Sequence, residues 1–422
     1  MKNTDYFKGK KITIVGFARS GLACANLLQS IGADVSITDI QDNSNIRLNA
    51  SKLNSQDIQL ELGRHTREFI IGRDMVVISP GVEDSAQPVI WAKELNIPLV
   101  SEIEIGGILC PATIIAVTGS NGKTTVTTLI GKILEAAGKK VFTCGNIGNA
   151  FCGEITKMQE EDFVVLEISS FQLEHIKTFH PKVALILNFS RNHLDRYKDM
   201  QEYISAKKRI FMNQNKDDFF VLNAEDAISQ GLEHEVKAGV LFFSRSARLS
   251  PNQAAAAVVA GIFGIDKEIS YKVFREFKGI EHRFEFVAEV KGVKFINDSK
   301  ATTVESCRMA LDNLAGPVIL IAGGRHKGVD YRTLLPSARN KIKEAILIGE
   351  AKENISGALK GEFPLNEATS LEEAVNQAYE KANPGDCVLL SPMCSSFDMF
   401  SSYEERGKVF KKAVLLLAKN NN

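Results

Sequence analysis

Apolar residues along the chain follow two rhythms. Short continuous apolar runs end in Gly, Ser, Asn or Asp, and between them apolar residues recur at helical spacing. The first series opens with KITIVGF (11–17), passes through a helical segment over 20–31, and continues with DVSITD (34–39), DMVVISPG (74–81) and PLVS (98–101). A second starts at IIAVTG (114–119), which turns through glycines into a helix ending near 137. KVFTCGN (140–146), DFVVLEIS (162–169), KVALILN (182–188), DFFVLN (218–223) and VLFFS (240–244) follow it. VKFINDS (293–299), PVILIAGG (317–324), EAILIGE (344–350) and GDCVLLSP (385–392) form the third, with a closing helix over 404–419. Strands alternating with helices predict right-handed crossovers and parallel sheets. Runs apolar throughout predict strands buried on both faces. The expected fold class is α/β with three domains, each on a mostly parallel sheet, over 1–101, 102–280 and 281–422. The alanine tract at 254–257 sits in a helical pattern and reads as close helix packing.

Composition narrows the function classes. A chain of 422 residues that is 44% hydrophobic is too apolar to be disordered. Lys and Arg number 51, as do Asp and Glu, so no global basic field draws the protein to nucleic acid or an anionic membrane, although a local phosphate site remains open. The apolar stretch of the N-terminus is shorter than a signal-peptide core. The longest apolar run, 254–265, falls well short of the ~20 residues that span a bilayer. Seven cysteines without a C-x-x-C pair read as free thiols in a reducing cytoplasm. The expectation is a cytoplasmic protein without membrane insertion or a nucleic-acid partner.

The sharpest chemical signal is Thr118-Gly119-Ser120-Asn121-Gly122-Lys123-Thr124-Thr125, between a strand and a helix. Its glycines let backbone N–H groups face phosphate oxygens, the helix N-terminus adds positive potential, and Lys123 supplies a full charge. Thr124 is placed to set a hydroxyl on Mg²⁺. Val117 stands where the usual pattern has its first glycine. In the first series, Gly16 and Gly21 form a defective dinucleotide fingerprint, with Ala18 at the middle glycine and Arg19 and Ser20 before Gly21. That argues for a nucleotide other than NAD, or for a plain structural turn; Asp39 is placed to take a ribose hydroxyl.

Ligands of open α/β sheets bind beyond the carboxyl ends of strands, where Glu167 ends FVVLE and His193 follows the next strand. Either alone also fits a capping carboxylate or a solvated loop histidine. A histidine ligand to Mg²⁺ needs added oxygen donors. In the third series Arg283 lies in EHRFE and Lys300 in NDSKAT, two cations positioned to meet a γ-phosphate across a cleft. Gly323-Gly324-Arg325-His326-Lys327-Gly328 and Ser395-Ser396-Phe397-Asp398 also follow strands, though ordinary loop chemistry accounts for such composition equally well.

TGSNGKTT, the HLDR segment, LEISSFQLE, NDSKATT and SPMCSSFDMFSSYEERG, in their order along the chain, resemble the Mur ligases of peptidoglycan synthesis, in particular the D-glutamate-adding branch. The resemblance covers essentially the whole chain. TGSNGKTT and HLDR are also shared with folylpolyglutamate synthases. The fold it implies is a Rossmann-like N-terminal domain binding a UDP-sugar, a P-loop ATPase-like central domain, and a Rossmann-like C-terminal domain binding the amino acid.

The activity implied is ATP-dependent addition of D-glutamate to UDP-N-acetylmuramoyl-L-alanine through an acyl phosphate, by a monomer. Gly119, Ser120, Asn121, Gly122, Lys123, Thr124 and Thr125 would hold ATP phosphates, Asn252 the adenine, Asp298 the ribose or a metal, and Arg283 and Lys300 the phosphates. The resemblance implies two Mg²⁺ ions, one on Thr124 and Glu167 and one on His193 and a carbamate on Lys207, which Y-x-x-A-K-x-R-I selects over Lys208. Arg19, Ser20, Asp39, Ser79, Gly81, Asn146, Ser169, Gln172 and His193 would hold the UDP-sugar. Thr302, Lys327, Ser396, Phe397 and Tyr403 would hold D-glutamate. Lys123, Glu167, His193, Lys207 and Lys300 would form the catalytic set. The chain departs from the family pattern in a shortened stretch before Asn252, in His326, and in Tyr403 where Phe is common. Another amino-acid ligase of the superfamily, or a P-loop ATPase module using the 119–125 loop alone, are the alternatives.

Overall fold

Each apolar run listed above forms a strand, and three further strands join them. The computed structural model describes residues 1–190, 196–326 and 328–421. It divides into two units, Met1–Phe277 and Lys278–Asn422. The first unit carries two sheets. Strands β1 (Lys11–Val15), β2 (Asp34–Asp39), β3 (Gln59–Leu62), β4 (Met75–Ile78) and β5 (Leu99–Ser101) lie in the order β3-β2-β1-β4-β5, all parallel. Strands β6 (Thr113–Thr118), β7 (Val141–Gly145), β8 (Phe163–Glu167), β9 (Val183–Ile186), β10 (Phe219–Asn223) and β11 (Gly239–Phe243) form a second parallel sheet, ordered β11-β10-β9-β6-β8-β7.

Alternation along the central strand explains its apolar run. Ile114 and Ala116 of β6 enter a core shared with the N-terminal sheet, while Ile115 and Val117 pack under helices Lys123–Ala136 and Pro251–Ile262. Burial on both faces leaves no polar positions, as expected for a parallel sheet covered by helices. The shared core also makes one compact unit of the two sheets.

The second unit holds β12 (Glu285–Val290), β13 (Val293–Asn297), β14 (Val318–Gly323), β15 (Ile342–Ile348), β16 (Leu365–Glu367) and β17 (Cys387–Leu390), ordered β12-β13-β17-β14-β15-β16. All neighbours are parallel except β12 and β13, a hairpin turned at Lys291 and Gly292, both at positive φ. One antiparallel pair among parallel neighbours agrees with the mostly parallel sheet expected here. Strands β3, β12 and β16 escaped the sequence reading for one reason: each is a sheet edge, mostly exposed or half-buried, and none presents a continuous apolar run. All seven cysteines are buried and free. Among the described residues no helix is long and apolar enough to cross a membrane.

Candidate active site

In the central sheet the chain moves to one side of β6 through β8 and to the other through β9. The crevice for a ligand therefore opens at the carboxyl ends of these three strands. The 119–125 loop leaves β6, Glu167 ends β8, and Asn188 follows β9. Strand β6 continues through Thr118, so the departing turn falls on Gly119 rather than on Val117, which is buried mid-sheet. Gly119 has φ of 149° and Gly122 of 82°, conformations that a side chain resists. A Cβ on Gly122 would also lie 2.6 Å from Oδ1 of Asn252, which places that residue against the loop.

Side chains from neighbouring strands pin the loop. Asn188 Oδ1 accepts from the Asn121 N–H (2.9 Å), and the Ser120 hydroxyl meets both the Tyr203 hydroxyl (3.0 Å) and the Ser190 N–H (2.9 Å). Lys123 Nζ folds back to donate to the carbonyls of Gly119 (2.8 Å) and Ser120 (2.9 Å). Thr124 is buried in the first turn of the helix that follows.

Lys207 comes from helix Met200–Lys208 and is only 1% exposed. Its Nζ donates to the Gly119 carbonyl at 3.0 Å and the Thr118 hydroxyl at 3.4 Å. Burial, reinforced by the charge of Lys123 and opposed by Glu167, holds its pKa well below the ordinary lysine value. Lys208, beside it, instead pairs with Glu235 on a more exposed face. Glu167 is buried: Oε1 accepts from Asn146 Nδ2 (2.7 Å), whereas Oε2 has no hydrogen-bond partner among the described residues. An orphaned buried carboxylate oxygen and the Thr124 hydroxyl, at one sheet edge, are the hard donors that Mg²⁺ takes. His193 lies outside the described residues.

The residues expected at the UDP-sugar line the carboxyl edge of the N-terminal sheet and its seam with the central one. Arg19 donates to the carbonyls of Gly145 (3.1 Å) and Gly148, bringing it beside Asn146 and hence Glu167. Asp39 accepts from the N–H groups of Phe17 (2.6 Å) and Gln41 (2.8 Å), and Ser79 donates to the Gly16 carbonyl (2.9 Å). Ser20 is half-buried and Gly81 exposed. Ser169 and Gln172 are engaged with each other as a capping box on helix Ser170–Leu173. Arg196, quoted above only as part of HLDR, donates to the carbonyls of Pro80 (2.8 Å) and Val82 (3.0 Å), tying the loop of Ser79 and Gly81 to the segment after β9. Nothing in sequence spacing foretells that bond.

In the second unit Arg283 lies between His282 and Phe284, both at positive φ. The Lys300 N–H donates to the His282 carbonyl (3.0 Å), and Lys300 Nζ lies 5.6 Å from the centre of the Tyr403 ring. Asp298 is buried, accepting from the Phe284 N–H (3.0 Å) and the Ser391 hydroxyl (3.2 Å), and burial raises its pKa to about 7. The Thr302 N–H bonds the Lys300 carbonyl (2.9 Å). Ser396 is buried, whereas Phe397 is 55% exposed. Lys327 lies outside the described residues. Glu281, His282 and Glu285 bring ligand-type atoms within 4.8 Å of one another, but Lys411 already pairs with both carboxylates, at 2.8 and 2.6 Å.

Comparison with known proteins accounts for this arrangement. The sequence matches the Mur ligase MurD-like N-terminal domain over 10–101, the Mur ligase middle domain over 117–284 and the Mur ligase glutamate ligase domain over 282–394. It is 39% identical to a UDP-N-acetylmuramoylalanine–D-glutamate ligase of Thermoanaerobacter sp., with 96% of this chain and 98% of that protein covered. It is 40% identical to the ligase of the same name from Geotalea daltonii, with 97% and 98% covered. Among solved structures, the UDP-N-acetylmuramate-alanine ligase of Thermotoga maritima superposes with a TM-score of 0.58 at 19% identity, over 97% of this chain and 100% of that one. A pseudomurein peptide ligase of Methanothermus fervidus gives 0.56 at 18%, with the same coverage. These two likenesses concern the fold. With three successive domain matches and near-complete coverage by relatives at this identity, the chain belongs to the Mur ligase family.

Proposed function

We infer that the protein is an ATP-dependent ligase that adds D-glutamate to UDP-N-acetylmuramoyl-L-alanine in peptidoglycan precursor synthesis. The observation that carries this reading is the 39% identity to a ligase of that name across 96% of the chain. The substrate carboxylate attacks the γ-phosphorus of ATP, ADP leaves, and an acyl phosphate forms. The amine of D-glutamate then attacks the acyl carbon and loses its proton, and phosphate departs from the tetrahedral intermediate to leave the amide. Phosphorylation turns an inert carboxylate into an electrophile.

The chain's residues divide this work. The N–H groups of 119–125 and Lys123 cradle the phosphates, Lys123 moving off the two carbonyls it now holds; charge aimed at a transferring phosphoryl group is the main lever of such catalysis. Asn252 sits against the loop, in keeping with a base contact, and Arg283, Asp298 and Lys300 serve the nucleotide. Arg19, Ser20, Asp39, Ser79, Gly81 and Asn146 hold the UDP-sugar, with Ser169 and Gln172 shaping the wall beside it. Thr302, Lys327, Ser396, Phe397 and Tyr403 hold D-glutamate. Thr124 and Glu167 would hold one Mg²⁺, and His193 with a carbamate on Lys207 a second. When bound, the ions neutralise crowded phosphate oxygens. The buried, uncharged amine favoured at Lys207 supports the carbamate, because only a neutral amine adds to CO₂. The enzyme acts as a cytoplasmic monomer on small molecules, and the balanced charge is in keeping with the absence of a nucleic-acid partner.

Phosphate release with UDP-N-acetylmuramoyl-L-alanine and a panel of amino acids tests the reading. D-glutamate should support turnover, and L-glutamate, L-alanine and meso-diaminopimelate should not. A preference for diaminopimelate would overturn the branch assignment, and release without any amino acid would point to a plain ATPase.

A further inference from the structure

Arg406, in the first turn of helix Tyr403–Asn421, is the bulkiest fully buried side chain among the described residues, 1% exposed. A guanidinium taken out of water is costly unless its N–H groups are met. Its Nε donates to the Ser299 hydroxyl (3.0 Å), and Nη2 donates to the carbonyls of Ser299 (2.8 Å) and Cys394 (3.2 Å). No ion pair forms with it among the described residues. Burial lowers its pKa to about 10, so the group stays charged at neutral pH. Nη1 is buried with no acceptor among the described residues and faces Gly324, where a Cβ would stand 3.1 Å away.

These partners have a common address. Ser299 follows β13, Cys394 follows β17 and Gly324 follows β14, three adjacent strands whose carboxyl ends meet at one edge. The same segments carry Lys300, Thr302, Ser396 and Phe397. Holding them together, further bonds link the Met393 N–H to the Ala301 carbonyl (2.9 Å) and the Ser299 hydroxyl to the Tyr403 carbonyl (2.8 Å). A core that only needed filling would be served as well by an apolar side chain, since replacing a buried charge in that way is often neutral or stabilising.

We propose that Arg406 is a positioning residue for the amino-acid pocket, fixing the spacing between the Lys300–Thr302 segment and the Ser396–Phe397 segment through the carbonyls of Ser299 and Cys394. The proposal rests on the reading of these segments as the D-glutamate site. A planar fork with several donors spans two loops as a methionine cannot, and a lysine does so only in part.

Steady-state kinetics of Arg406→Met and Arg406→Lys, varying each substrate in turn, tests it. Arg406→Met should raise KM for D-glutamate about ten- to hundredfold, the scale of a small misplacement of a binding group. KM for the UDP-sugar should stay within about twofold, KM for ATP should rise less than that for D-glutamate because Lys300 shares the braced segment, and Arg406→Lys should fall between. Ser299→Ala, which removes only the acceptor of Nε, should raise the same KM by a smaller factor, and serves if the methionine variant does not fold. An unchanged KM for D-glutamate in a folded Arg406 variant, or equal rises for all three substrates, would overturn the proposal. Wild-type enzyme that rejects D-glutamate would instead overturn the reading beneath it.

Discussion

The phosphate loop of the first unit and the strand-end loops of the second both stand on carboxyl ends of parallel strands, yet they treat charge in opposite ways. Around the phosphate loop most of the groups proposed for the chemistry are buried, Thr124 at 3%, Glu167 at 2% and Lys207 at 1% exposed, with Lys123 half-buried. In the second unit Phe397 lies open to solvent, and the most deeply buried charged side chain among the described residues is Arg406, which bonds the loops. Electrostatic stabilisation of a transferring phosphoryl group gains from a low-dielectric, preorganised setting. Capture of a small zwitterion does not require buried charge; it requires loops held at the right spacing. One site is made by burying its chemistry, the other by bracing it.

The sharpest way to break this contrast is at Lys123. Lys123→Ala should lower kcat about 10²- to 10³-fold, the usual cost of losing one preorganised charge partner. Lys208→Ala, which loses only its pairing with Glu235, should change kcat little. Equal effects in a phosphate-release assay would show that the place of Lys123 in the loop confers no special role.

Lys207 comes next. Its buried Nζ favours the neutral amine, which can attack CO₂ and lose a proton to give a carbamate anion. Lys207→Ala should be almost inactive, by roughly 10²-fold in kcat, and added short carboxylic acids should restore part of that loss by filling the vacated place. Intact-protein mass under native conditions should show one added carboxyl group on the wild type. A bare amine in a fully active, metal-loaded enzyme would remove the carbamate from the account.

The smallest effect separates burial from function. Glu102 is buried at the start of helix Glu102–Leu109; Oε1 accepts from the Cys152 N–H (2.6 Å) and Oε2 has no partner among the described residues. Burial raises its pKa from 4.5 to about 6. The folded protein therefore keeps a proton that the unfolded chain releases between those values. The resulting stability is fully present below pH 4.5 and is lost as pH rises through 6. Relative to Glu102→Gln, the wild type should lose about 2 kcal/mol between pH 4.5 and neutrality, with kcat unchanged in the variant. Denaturant unfolding at the two pH values checks this, and parallel pH profiles would contradict it.

What the sequence disclosed follows from how local each demand is. The phosphate loop is legible because Gly119, Gly122 and Lys123 must be contiguous to do their work, and the buried strands because both faces are apolar. The grouping of Asn146, Glu167 and Lys207 is not legible, since parallel pairing joins residues far apart in the chain through crossovers whose geometry no spacing records. Gln172, assigned to the UDP-sugar by resemblance, also closes a capping box with Ser169. Nothing in the sequence marks Arg406 as buried, and only the packing of three loops reveals that it is inside.

The central claim, that ATP is spent on making an acyl phosphate from the UDP-sugar carboxylate, is tested most directly by oxygen isotope transfer. UDP-N-acetylmuramoyl-L-alanine labelled with heavy oxygen in its terminal carboxylate is turned over with ATP and D-glutamate in ordinary water, and the released phosphate is analysed by mass. The account predicts that each phosphate carries one labelled oxygen from the carboxylate. Unlabelled phosphate here, with label appearing instead from heavy water, would mean that ATP is hydrolysed directly and would contradict it.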